Sequence, residues 1–135
     1  MLNLSKLISL PTRLIATVQK QIPQLNYGQL EKLMKENKKV LIIDVREADE
    51  LTKDGKIPKS VHIPLGDVAN YFKMDPKLFK DKTHIDKPDL QDSKLVLYCR
   101  RGIRAMKGAQ CLQDMGFENL FTFPGGVVEW QQHNK

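Results

Sequence analysis

Cysteine is scarce: the 135 residues contain two, Cys99 and Cys111. Two thiols cannot build a disulfide framework, and no compact apolar stretch of the secretory type is present, so a reducing intracellular compartment is expected. Glycine and proline, at 8 and 7, are too few for a collagen-like or low-complexity chain. Long hydrophobic runs are missing too. The longest aliphatic one, Val40-Leu41-Ile42-Ile43, falls far short of the roughly 20 residues of a membrane-spanning helix, which excludes such a span. Acidic residues are absent from the first 30 positions, which hold Lys6, Arg13 and Lys20, half of the net charge of +6. Beyond them 19 bases face 16 acids with no basic stripe interleaved with aromatics, so nucleic-acid binding has no support.

What is present argues for one folded domain. A hydrophobic fraction of 41% is too high for a disordered chain, and the length suits a single core. Leu4, Leu7, Ile8, Leu14, Ile15, Val18 and Ile22 recur at helical spacing, with hydroxyl and basic residues between them and Pro11 as the one interruption. Acid-free, amphipathic and hydroxyl-bearing, residues 1–25 have the composition of a mitochondrial targeting peptide. The competing reading is a first helix docked on the domain. Pro23 marks the end of the segment, and the domain proper is expected over residues 26–135, opening with a helix capped by Asn26.

Val40–Val45 and Leu95–Tyr98 are short apolar runs with polar residues at their carboxyl ends, the pattern of buried parallel strands. Short strands are also expected at Val61–Ile63 and Leu120–Phe123. Helices are expected over Glu47–Lys53, Asp67–Phe72, Pro76–Lys80, from Ile103 to a stop at Gly116, and over Val127–Gln132. Residues 81–93, rich in Asp and Lys, read as a solvated connection. This alternation predicts an α/β domain, with a mainly parallel central sheet and helices on both faces.

Cys99-Arg100-Arg101-Gly102-Ile103-Arg104 falls between a buried strand and a helix, where a tight loop turns its N–H groups inward and forms an anion cradle. Helix dipole, loop amides and the three arginines would all favour a thiolate on Cys99. A cysteine after a strand usually just packs. Three arginines and a glycine within five residues are poor core material, however, and suit the surroundings of an anionic sulfur. Cys111, mid-helix with Lys107 as the nearest cation, reads as structural.

These features resemble the rhodanese family, sulfurtransferases that carry sulfane sulfur on a cysteine. The resemblance runs from about Tyr27 to Trp130 and rests on four segments. They are Asp44-Val45-Arg46-Glu47, the stretch Gly55 to Pro64, the loop Cys99-x-x-Gly102-x-Arg104, and Pro124-Gly125-Gly126 before Trp130. Met74-Asp75-Pro76 to Phe79, followed by Lys87-Pro88, is similar to the short single-domain thiosulfate sulfurtransferases. Many members carry His and Gly where this chain has Lys56 and Lys59, and Ala at Ser60. Related phosphatases and arsenate reductases use a Cys-x5-Arg loop; here four residues separate Cys99 from Arg104, a smaller ring that suits a persulfide.

The resemblance implies that Cys99 takes sulfur from thiosulfate and passes it to a small thiol such as glutathione, or to cyanide. Arg100, Arg101, Gly102, Ile103 and Arg104 would bind the substrate. Two other readings stay open: a relay that passes sulfur between proteins, and a binding module that does no chemistry. Asp44 and Arg46 are expected to form a buried polar support for the loop. His62 reads as a satisfied strand histidine, and Trp130 as a core anchor. His84 and His133 have no partners at metal spacing, so neither metal nor other cofactor is expected.

Overall fold

The computed structural model describes residues 20–36 and 39–135. The targeting segment expected at residues 1–25 lies, up to residue 19, outside the described residues. Four strands, β1 (Val40–Asp44), β2 (Val61–His62), β3 (Lys94–Tyr98) and β4 (Leu120–Phe123), form one sheet in the order β2-β1-β3-β4, with every pairing parallel. Helices α1 (Tyr27–Glu36), α2 (Ala48–Asp54), α3 (Val68–Lys73), α4 (Pro76–Thr83), α5 (Ile103–Asp114) and α6 (Gly126–His133) alternate with them. A 3-10 turn, Leu65–Asp67, leads into α3.

Parallel strands buried on both faces need apolar side chains on both, and the central pair supplies them. Ile43, Val45, Leu95 and Leu97 pack with Val68 and Phe72 of α3, Phe79 of α4, and Ala105, Ala109 and Leu112 of α5. On the opposite face Ile42, Val96 and Tyr98 pack with Leu30 of α1, Ile57, and Val127 of α6. Trp130 packs against this second cluster, as a core anchor should. The α/β architecture expected from the alternation is therefore observed, with both faces covered.

Helix starts follow local chemistry. Asn26 Oδ1 accepts from Gln29 N–H while the Gln29 side chain accepts from Asn26 N–H, each at 2.8 Å, a reciprocal cap for α1. Glu47 and Glu50 cap α2 in the same way. Asp75 Oδ1 accepts from Leu78 N–H at 2.9 Å with Pro76 at the first helical position of α4.

Residues 20–25 are tied to the domain. Ile22 is buried in the α3–α5 core, Leu25 N–H donates to Thr122 O at 2.7 Å, and Thr122 N–H donates to Pro23 O at 3.0 Å. These residues run beside β4 and cover its outer edge, joined through a bridge between Gln24 and Thr122. Residues on both sides of Pro23 thus pack on the domain, through edge hydrogen bonds that leave no periodic signal.

Candidate active site

The strand register sets the site. Asp44 of β1 pairs with Tyr98 of β3 and His62 of β2, and Tyr98 with Phe123 of β4, so the chain leaves the sheet on one edge at Val45, Cys99 and Pro124. Open parallel sheets hold their ligands at this carboxyl edge.

Cys99 is a free thiol, 1% exposed, at the base of the loop between β3 and α5. Its Sγ accepts from Gly102 N–H at 3.0 Å and from Ala105 N–H at 3.4 Å. Ala105 lies in the first turn of α5, whose N–H groups have no carbonyl partner within the helix, so the sulfur occupies the place of a capping group. Two backbone donors thus converge on one sulfur. Gly102 makes this possible: at φ 95° it turns the chain through the left-handed region. Gly126 makes it possible from outside, since its Cα sits so close to the Cys99 carbonyl oxygen that a Cβ would overlap it.

The three loop arginines diverge. Arg104 Nη1 and Nη2 donate to Glu50 Oε1 and Oε2 at 2.5 and 3.0 Å, a fork that bridges α5 to α2. The Arg104 guanidinium holds the Glu50 carboxyl at about 2, below its ordinary 4.5, and the same bond raises the pKa of Arg104. Arg100 Nη1 reaches Asp54 Oδ2, one turn along α2, at 3.1 Å. Arg101 is exposed and meets no carboxylate among the described residues. Ile103, at the start of α5, is 70% exposed. The loop's charge is thus compensated on the α2 side, which the local cluster of arginines did not reveal. Glu50 and Asp54 are the residues that sequence reasoning missed; their i, i+4 spacing on one helix was the available signal.

Below the loop lies a buried polar network. Arg46 Nε and Nη2 donate to Asp44 Oδ1 and Oδ2 at 3.0 and 2.7 Å, both side chains being fully buried. Arg46 Nη2 also donates to Gly55 O at 2.7 Å, fixing the end of α2. The guanidinium lies 5.8 Å from the Tyr98 ring centre. The Tyr98 hydroxyl accepts from Ile57 N–H at 3.1 Å and bonds Ser60 Oγ at 3.0 Å, while Ser60 donates to Ile57 O at 2.7 Å. Burial pushes the Tyr98 hydroxyl pKa up, so it stays a neutral donor. His62 Nε2 donates to the Arg46 carbonyl at 2.6 Å, a satisfied strand histidine.

Comparison with known proteins agrees with this geometry. The Rhodanese-like domain family matches residues 26–133. Mouse (Mus musculus) thiosulfate sulfurtransferase/rhodanese-like domain-containing protein 3 is 36% identical over 104 residues, 77% of this chain and 65% of that protein, so the chain spans just under two thirds of that relative. Saccharomyces cerevisiae thiosulfate sulfurtransferase RDL2, mitochondrial, is 30% identical over 122 residues, covering 89% of this chain and 80% of the relative. Human thiosulfate:glutathione sulfurtransferase is 29% identical over 89 residues, covering 66% of this chain and 76% of that one. The solved structure of the human single-domain sulfurtransferase TSTD1 superposes with a TM-score of 0.75 at 26% identity, over 83% of this chain and 97% of that one. A parallel sheet that ends at a Cys99 loop closed by its own amides, on a chain matched almost from Asn26 to its last helix, belongs to the rhodanese-like sulfurtransferase family.

Proposed function

We propose that the protein is a thiosulfate sulfurtransferase that works through a persulfide on Cys99. The observation that carries this reading is the convergence of Gly102 and Ala105 N–H on Cys99 Sγ. In the first half-reaction the Cys99 thiolate attacks the outer sulfur of thiosulfate. The sulfur–sulfur bond of the donor breaks, sulfite departs with its electron pair, and Cys99 holds a persulfide. In the second, an acceptor thiolate attacks the outer sulfur, leaves as a persulfide and restores the Cys99 thiolate. The loop amides stabilise the sulfur anion in both resting states. Neither step draws on a metal or cofactor.

The substrate contacts fall to Arg100, Arg101, Gly102, Ile103 and Arg104. Arg101 attracts the dianionic donor, while Arg100 and Arg104 hold the loop through Asp54 and Glu50. Asp44 and Arg46 support it from below. A small thiol serves as acceptor, in keeping with a human relative named for glutathione. Initial rates with thiosulfate and glutathione both varied test the scheme: a persulfide intermediate gives parallel double-reciprocal lines, and intersecting lines would contradict it.

Residues 1–25 we assign to mitochondrial targeting, the last of them also docking on the domain, on their acid-free amphipathic pattern and on the yeast relative whose name carries that location. Fused to a fluorescent reporter, they should direct it to mitochondria. A diffuse cytosolic signal would overturn the assignment.

A further inference from the structure

Charge around Cys99 is distributed unevenly. On the α2 side, Arg100 and Arg104 are each neutralised by a carboxylate, Asp54 and Glu50. On the opposite side of the loop an open groove of about 430 Å³ lies between the start of α5 and the segment that borders β4. Ile103, Met106 and Pro124 give it an apolar lining, to which Gln24, from the edge-covering segment, adds an amide. Arg101 and Lys107 stand on its rim, both exposed. No carboxylate among the described residues pairs with either. The groove also includes Gly102, whose N–H lies 3.0 Å from Cys99 Sγ.

From this placement we infer that the groove is the acceptor subsite, and that it selects thiols carrying carboxylates, with Lys107 as the specificity-determining residue. The inference rests on the persulfide reading above. The volume falls within the range of small-molecule sites, roughly 300–1,000 Å³, and far exceeds what a single sulfur or a cyanide ion needs. An apolar lining accommodates the carbon skeleton of a peptide-like thiol. Two exposed cations, unpaired with any carboxylate among the described residues, match its carboxylates, and the shared Gly102 brings the thiol towards the sulfur to be transferred. Lys107 follows Gly102 by five residues, so Arg101 and Lys107 flank the groove from the loop and from the second turn of α5. A bare small thiol would gain nothing from either cation.

The experiment isolates the second half-reaction. Protein loaded with sulfur from thiosulfate is mixed with glutathione, with neutral 2-mercaptoethanol, or with cationic cysteamine, and loss of the persulfide is followed. Lys107→Glu should slow the reaction with glutathione about tenfold, change that with 2-mercaptoethanol less than about twofold, and leave cysteamine no slower than wild type. Lys107→Arg should restore glutathione. Equal slowing with all three thiols, or none with glutathione, would overturn the subsite. Failure of the persulfide reading has a different sign, the absence of transferable sulfur on the wild-type protein. Binding of S-methylglutathione, measured by calorimetry, then still decides the groove: it should weaken about tenfold in Lys107→Glu, and unchanged affinity would contradict the assignment.

Discussion

Gly126 has no room for a side chain: at φ 58° it lies in the left-handed region, and a Cβ there would overlap the Cys99 carbonyl oxygen. Gly126→Ala should cost more than about 2 kcal/mol in denaturant unfolding and should also lower sulfur loading, because only a shift of the loop relieves the overlap. Lys59 presents the opposite case. It holds φ 66°, in the left-handed region that a side chain resists, and Lys59→Gly should be neutral or stabilising by up to about 1 kcal/mol. The nucleophile's sequence signal was strong because its cradle is local: the donors to Cys99 Sγ among the described residues, Gly102 and Ala105, lie within six residues of it. Cys111, half-buried on α5, makes no contact of that kind among the described residues; Cys111→Ser should keep sulfur transfer largely intact, with a stability loss of about 1 kcal/mol.

Helix α2 contributes no buried side chain to the core, yet it carries the carboxylates that hold the loop. The Glu50 carboxyl sits at about 2 in the folded protein against an ordinary 4.5, so the unfolded chain binds its proton more readily. Its stabilisation is complete above about pH 4.5 and is lost as the pH falls towards 2. Glu50→Gln should therefore lower stability near pH 7 by about 1–2 kcal/mol, allowing for partial solvent screening, and the difference from wild type should shrink between pH 4.5 and 2. The test is urea unfolding at a series of pH values. Asp54→Asn, which breaks a more exposed pair, should cost less than about 1 kcal/mol. At this scale the strands and helices were legible, since apolar runs, caps and Gly or Pro stops are local signals. The pairing of Arg104 with Glu50 was not, because 54 residues separate them and only the parallel crossover from β1 to β3 brings them together.

Taken whole, the molecule joins an edge-covering segment, a two-faced sheet and a one-sided site. Ile22 belongs to the same core as Leu97 and Leu112, so removal of residues 1–25 should cost at least the ~1.5–3 kcal/mol of one buried aliphatic side chain, whereas removal of residues 1–19 leaves that contact in place. Thermal melts of the two truncated proteins make the comparison, and equal melting temperatures would show that the segment contributes nothing. The docking of residues 22–25 lay beyond reach of the sequence because edge pairing of Gln24 with Thr122 needs a β4 that is formed elsewhere in the chain. Attraction of a dianionic donor to the exposed Arg101 should make the thiosulfate KM rise with ionic strength. The central claim, that Cys99 carries the transferred sulfur, is met most directly by intact-mass and peptide mass spectrometry after incubation with thiosulfate. Wild type should gain one sulfur atom, located on Cys99 and removed by a thiol, and Cys99→Ser should gain none. Sulfur on Cys111, or on neither cysteine, would contradict the account.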